Sequence, residues 1–390
     1  TAFIRNDMAG LTLLWLLSGV QVYLDNLPIE HPAIRYSEEA DDRVARLAQE
    51  LESGKVRLES DPKFSYLPSL LERLEIPSES QTLVFSKTSV QESRVSPRTP
   101  RAIYFRDDVA VGYVRGSDTL ELAAVDPVRG IVFYTLEARS DKAPRIARAD
   151  GCLHCHQGAA TAGVPGIYVG SVATTPSGRV DFRPGSMVTD HRTAFADRWG
   201  GWYVDGSTSE THRANVTSVD PELSGALPVL PRDRSSYLAS GSDIVALMTL
   251  EHQTQMTNLL TRLSWEARID SIGPASPGLE ARIGEVARYL LFLDETPLSG
   301  PIRGVSGFAE AFAREGPRDK KGRSLREFDL KTRLFRYPLS YLVHSRQFEG
   351  LPAAVRERLY RRLKELLPED ERPAIVEILR DTKGDLPPGW

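Results

Sequence analysis

Residues 119–137 read TLELAAVDPVRGIVFYTLE, which is two short strand-like segments with a turn between them. The segments LELAAV and IVFYTLE are rich in β-branched and aromatic side chains, as strands usually are. Asp126 and Pro127, followed by Gly130, mark the turn. This stretch therefore predicts the centre of a β-rich region.

Segments of the same texture lie on both sides of this stretch. Those before it are TLVFS (82–86), RAIYF (101–105) and AVGYVR (110–115). Those after it are GIYVGSVAT (166–174), GRVDF (178–182) and RWGGWYV (198–204). Because each is short and bounded by turn residues, we expect a strand at each of them.

Helical spacing dominates the remainder of the chain. Residues 37–54 have apolar side chains at helical intervals with Ser37 as a candidate N-cap, and 67–76 predict a second helix. The longest candidate runs from Asp243 to about Arg268, with Ser242 as its N-cap. Further helices are expected at 278–293, 304–314, 334–347, 352–366 and 369–381.

These patterns predict an α+β fold, with a mixed β region followed by an α-helical region. The predicted division is a leader or anchor at 1–24, an N-terminal helical segment at 25–80 and the β-rich region at 81–205. A polar connection at 206–241 then leads to the helical region at 242–390.

The composition is that of an ordinary globular protein. Of 390 residues, 41% are apolar and 26% are charged, with a formal net charge of −4. No basic block suggests a phosphate-backbone partner, so nucleic acid is not expected. The informative feature is that the chain has two cysteines, which lie three residues apart.

Both cysteines belong to the pentapeptide Cys152-Leu153-His154-Cys155-His156. This is the spacing of a c-type haem attachment site. Two thiols add to the two vinyl groups of haem, and the histidine that follows coordinates the iron. The sequence therefore predicts one covalent haem c, with thioethers at Cys152 and Cys155 and His156 as an axial ligand.

Other chemistry uses cysteines at this spacing. A zinc site needs about four ligands, and the chain has no second cysteine pair. A thioredoxin-like redox pair gives the histidine after the second cysteine no required role. A disulfide across two residues is a further alternative, and His154 is interpreted as a spacer inside the pentapeptide.

On these five residues the chain resembles c-type cytochromes. The resemblance is limited to the pentapeptide, because small electron-carrier cytochromes are all-α and have a helix before the attachment site. A strand-rich frame around one attached haem is similar in layout to the haem-bearing PAS-like sensor modules of bacteria. Trp199 and Trp202 would lie close to such a cofactor, or would serve as core anchors.

The second axial ligand would decide what a haem does, and three residues are candidates. His191 follows Asp190, whose carboxylate could fix its tautomer, although a surface histidine is the alternative. His252 lies on an apolar helical stripe, where core histidines also occur. Met187 could supply a thioether or pack as an apolar plug. His212 and His344 are weaker options.

Three functional hypotheses follow from this site. The first is one-electron transfer with a periplasmic redox partner protein, the second a haem-based gas or redox sensor, and the third a peroxidase-like oxidoreductase with an open sixth position. Whether the chain is an enzyme is left open, with an electron carrier favoured. No nucleotide-binding, serine-hydrolase or zinc-protease signature is present in the sequence.

An apolar run at residues 8–24, MAGLTLLWLLSGVQVYL, precedes the predicted fold. This run, with Arg5 before it, fits the apolar part of a signal peptide or a short inner-membrane anchor. A buried core helix is the alternative. Because covalent haem attachment takes place outside the bacterial inner membrane, the sequence predicts an exported, periplasmic protein.

Overall fold

The computed structural model describes residues 26–137, 144–217, 234–273 and 278–390. Within these ranges a β-rich middle is followed by helices, so the predicted α+β class is confirmed. The described strands are β1 (Thr82–Val84), β2 (Arg101–Arg106), β3 (Val109–Tyr113), β4 (Thr119–Asp126), β5 (Gly130–Glu137), β6 (Arg145–Arg148), β7 (Val169–Thr174), β8 (Val180–Thr189) and β9 (Trp202–Tyr203).

The described α-helices include two, α1 and α4, whose N-caps differ from those expected from the sequence. The helices are α1 (Arg43–Glu52), α2 (Leu67–Arg73), α3 (Leu153–His156), α4 (Ile244–Asp270), α5 (Leu279–Leu290), α6 (Phe308–Arg314), α7 (Arg346–Glu349), α8 (Ala353–Leu366) and α9 (Arg372–Thr382). Asp42 rather than Ser37 caps α1, and Asp243 rather than Ser242 caps α4. Each carboxylate accepts two backbone N–H groups of the first turn, which otherwise have no intrahelical partner.

The prediction of one helix at 334–347 is wrong. The structure has a 3₁₀ turn, Tyr341–His344, followed by α7. Pro338 lies in the middle of the predicted span. A proline there has no N–H for the helical ladder and clashes with the preceding turn, which accounts for the interruption.

Seven of the described strands form one antiparallel sheet in the order β6-β5-β4-β3-β2-β1-β9, while β7 and β8 pair with each other. The stretch at 119–137 forms the β4–β5 hairpin, paired along both strands. In its turn the Asp126 carboxylate accepts the backbone N–H groups of Val128 and Arg129, each at 2.7 Å. Gly130 has φ +79°, a left-handed conformation that favours glycine.

Alternation along β5 separates the two faces of the sheet. Val132, Tyr134 and Leu136 belong to the core that contains α1 and α2. Ile131 and Phe133 point to the other face, because successive strand side chains alternate. That second face is where the pentapeptide packs.

A second core lies around α4, whose length is almost entirely buried. It packs against α5, α6 and α7, and its apolar side chains form one cluster with those of α8 and α9. Val84 and Phe105 of the sheet belong to the same cluster, so the helices and the sheet share a core. The domain boundaries expected from the sequence remain predictions.

Two sequence expectations fall wholly or partly outside the described residues. The apolar run at 8–24 lies outside them, and so does part of the connection at 206–241. In the portion of the chain that the structure describes, no helix combines the length and apolar character needed to cross a membrane.

Candidate functional site

The pentapeptide 152–156 rests on a small apolar patch of the sheet. The patch is made by the buried side chains of Ala123, Ile131 and Phe133, with Cys152 and Leu153 packed against it. Ala123 of β4 and Phe133 of β5 are direct cross-strand partners. The hairpin predicted from the sequence therefore supplies the floor of the site.

Local backbone geometry presents the two cysteines differently. After β6, one 3₁₀ turn (Asp150–Cys152) leads directly into α3. Both thiols are free; Cys155 is exposed, whereas Cys152 is partly buried. Burial raises the pKa of the Cys152 thiol, and the Glu121 carboxylate adds to the rise. The Cys152 thiol therefore holds its proton to a higher pH than an ordinary cysteine does.

The His156 ring is held by the backbone of Gly166. Its Nδ1 lies 2.9 Å from the carbonyl oxygen of Gly166. A carbonyl oxygen only accepts, so Nδ1 carries the hydrogen. Burial lowers the pKa of His156, which favours the neutral ring. Phe133 and Tyr168 flank the imidazole, with ring centroids at 5.0 and 5.8 Å.

One ion pair borders the pentapeptide. Arg101 of β2 and Glu121 of β4 pair with each other, and both are mostly buried. Glu121 also accepts hydrogen bonds from Ser89 and Gln91 at 3.1 and 2.9 Å. The two charges act on the Cys152 thiol in opposite directions: Glu121 raises its pKa and Arg101 lowers it by less.

The remaining residues predicted around the site lie in other surroundings. His154 is exposed, and its Nδ1 lies 2.9 Å from the Gly151 carbonyl oxygen. Met187 is 40% exposed on β8, where it pairs with Ser171 of β7. Trp202 is buried and donates its Nε1–H to the Gly170 carbonyl at 2.7 Å.

The structure brings His191 and His252 together, and their rings form a hydrogen bond with each other. Their Nδ1 atoms lie 2.8 Å apart, and His252 Nε2 lies 2.7 Å from Ser340 Oγ. Tyr289 and Phe292 contact both rings. Burial lowers the pKa of each histidine well below its usual value, so the pair is neutral.

The carboxylate expected to orient His191 is engaged elsewhere. Asp190 pairs with Arg192, with Oδ2 and Nη2 2.6 Å apart. His252 is a core histidine with hydrogen-bond partners, which was the alternative interpretation of its apolar stripe.

A buried ion pair beside these histidines was missed by sequence reasoning. Arg198 Nη1 and Glu251 Oε2 are 3.3 Å apart, and both residues are essentially inaccessible to solvent. Arg198 also donates to the carbonyl oxygens of His191 and Thr193. Burial raises the pKa of Glu251 to about 7, although Arg198 opposes the rise. The available signal was Glu251 itself, a carboxylate next to the apolar helical stripe that contains His252.

Comparison with known protein families, curated proteins and solved structures finds no match to this chain.

The predicted haem c is corrected by the structure. Across residues 26–137, 144–217, 234–273 and 278–390, no three His, Cys, Asp or Glu side chains form a group able to hold a metal ion. The ring contacts of His156 are Phe133 and Tyr168, while His191 and His252 bond to each other. The prediction of a covalent haem is therefore wrong, and the resemblance to c-type cytochromes and haem sensor modules does not extend beyond the spacing of the pentapeptide. The spacing of the pentapeptide is unchanged; the correction concerns the chemistry assigned to it.

Proposed function

We propose that Cys152 and Cys155 form a reversible dithiol–disulfide centre that exchanges two electrons with a redox partner protein. The observation that carries the proposal is the pairing of an exposed thiol with a partly buried thiol on one helical turn. Residues three apart on a helix have Cβ atoms about 5–6 Å apart. A small adjustment therefore reaches the ~4 Å Cβ separation of a disulfide.

Exposure assigns the order of attack. The Cys155 thiolate attacks a disulfide of the partner, which forms a mixed disulfide and releases one partner thiolate. Cys152 then gives up its proton and attacks Cys155 Sγ, which closes the internal disulfide and releases the second partner thiolate. Two electrons and two protons pass to the partner, so the exchange balances.

His156 supports the first step of this exchange. A thiol reacts as its thiolate, so Cys155 needs a proton acceptor. His156 is neutral and has its hydrogen on Nδ1, which leaves the lone pair of Nε2 available. We assign His156 as that acceptor because Tyr168 packs against its ring and also interacts electrostatically with the Cys155 thiol, so both groups lie beside the same side chain.

The proposal keeps the partner and location expected from the sequence. A redox partner supplies or removes the electron pair, and the exchange takes place outside the cytoplasm, where disulfides persist. The apolar run at 8–24 serves as the export segment or inner-membrane anchor in this proposal. The three haem-based hypotheses are not taken up, because each of them uses the iron.

Redox equilibration followed by alkylation tests the proposal. The protein is equilibrated in glutathione buffers of graded potential, quenched with a maleimide-polyethylene glycol and separated by mass. We expect one transition between no labelled thiol and two labelled thiols, because the pair gains two electrons together. Since the chain has no third cysteine, Cys152→Ser with Cys155→Ser provides a background without labelling.

Single variants test the order of attack. Cys152→Ser is expected to retain fast labelling at Cys155 and to accumulate the mixed disulfide with glutathione. Cys155→Ser is expected to label slowly, because the remaining thiol is partly buried and has a raised pKa. Equal labelling rates in the two variants would contradict the assigned roles.

A further inference from the structure

The side chain of Asn258 lies against residues 166 and 167, which border the pentapeptide. Asn258 lies on α4 and is fully buried. Its Nδ2 donates to the carbonyl oxygen of Ile167 at 2.9 Å, while its Oδ1 has no hydrogen-bond partner within the described ranges. A buried amide with half of its hydrogen-bonding capacity unused is costly. Packing alone would be served better by an apolar side chain, so the amide points to a positional role.

Gly166 lies directly against this amide. A Cβ built on Gly166 would lie 2.2 Å from Asn258 Oδ1 and 2.9 Å from Cβ of Thr161. A Cβ does not fit in that space without a shift of its neighbours, so glycine allows residue 166 to lie directly against the Asn258 amide. The position of Asn258 therefore fixes the path of residues 166 and 167.

The same glycine holds His156 at two points. The Gly166 N–H donates to the carbonyl oxygen of His156 at 2.9 Å. The Gly166 carbonyl oxygen accepts the His156 Nδ1–H, also at 2.9 Å. An unbroken chain of contacts thus leads from Asn258 through Gly166 to the imidazole.

We propose that Asn258 is a positioning residue that fixes the tautomer of His156 through Gly166. With the Gly166 carbonyl in place, the hydrogen stays on Nδ1 and Nε2 remains the proton acceptor for Cys155. Without it, the neutral ring redistributes its hydrogen between the two nitrogens. The role at Cys155 rests on the proposed function, whereas the effect on the tautomer does not.

Nitrogen-15 NMR of the imidazole tests this directly. In the parent protein, with the resonance assigned by His156→Gln, we expect the Nδ1–H tautomer across the neutral pH range. Asn258→Leu keeps a similar volume and removes the amide, and it is expected to give a mixture of tautomers. Alkylation of Cys155 at neutral pH should then slow by about tenfold, because general-base assistance is typically a factor of a hundred or more and is lost only in part.

Met256→Leu, a buried apolar change on the same helix, serves as the matched control and should leave the tautomer as in the parent. A second variant guards against poor folding of Asn258→Leu. Gly166→Ala keeps the amide in the chain but should also give a mixture of tautomers, because the added methyl group displaces residue 166 from Asn258 and Thr161.

Two results would overturn the proposal: an Nε2–H tautomer in the parent, or an unchanged Nδ1–H tautomer in folded Asn258→Leu. If the tautomer shifts as expected while both thiols are inert, the positioning role stands and the dithiol function fails.

Discussion

The buried carboxylate of Glu251 should make the free energy of unfolding depend on pH. Its pKa is raised from 4.5 to about 7, because burial penalises the charged form more than Arg198 favours it. Between these two values the folded protein holds a proton that the unfolded chain has released. The free energy of unfolding therefore falls as the pH rises through this window.

The magnitude follows from the width of the window. At about 1.4 kcal/mol per pH unit, the interval from 4.5 to about 7 corresponds to about 3 kcal/mol. Glu251→Gln mimics the neutral acid in shape and charge, and Arg198 keeps a polar neighbour. The free energy of unfolding of the variant should equal that of the parent at about pH 4. At about pH 8 it should exceed that of the parent by about 3 kcal/mol.

Urea denaturation of parent and variant at several pH values measures this difference. Taking the difference between the two proteins cancels the other titrating groups, which include the partly buried Glu295 with a pKa also raised to about 7. Glu72→Gln, at an exposed position on α2, is the control and should leave the difference flat. A pH-independent difference for Glu251→Gln would refute the reasoning.

Two further substitutions test how the fold holds the site. Asp243→Ala should lower the free energy of unfolding by about 3 kcal/mol, because its carboxylate accepts backbone N–H groups both at the start of α4 and at Val305 and Ser306. Asp243→Asn should recover part of this loss in the same urea experiment. Gly130→Ala should cost about 2 kcal/mol, because φ is +79° and the new Cβ would lie 2.4 Å from Thr261 Cγ2. Thr261→Ser removes that methyl group, so thermal unfolding of the double variant should show partial recovery; no recovery would argue against the clash.

Local sequence patterns predicted most of the strands and the α+β class, because alternation and turn residues act over short distances. The β4–β5 hairpin is the clearest case, since its turn contains both the aspartate and the glycine that the geometry requires. Helix starts were less accurate at Ser37 and Ser242, because an aspartate nearby also fits an N-cap. The prediction of a helix across Pro338 was wrong because an internal proline has no N–H to donate and clashes with the preceding turn.

The candidate site was only partly predictable. The pentapeptide could be found because its residues are contiguous, whereas its contact with Phe133 and Gly166 depends on tertiary packing. His191 and His252 were each singled out, but their mutual hydrogen bond joins residues 61 apart in the chain. The pairing of Arg198 with Glu251 is likewise non-local. The haem expected from spacing alone was wrong, because the described part of the chain has no group of three side chains able to hold a metal ion.

The intact mass of the purified protein, before and after reduction and alkylation, tests the proposed dithiol centre most directly. We expect the mass of the polypeptide alone, with both Cys152 and Cys155 alkylated after reduction and neither alkylated in the oxidised form. A mass greater than that of the polypeptide, with neither sulfur alkylated after full reduction, would contradict the dithiol centre. Together with a haemochrome spectrum in alkaline pyridine, that result would restore the covalent haem and replace the dithiol centre.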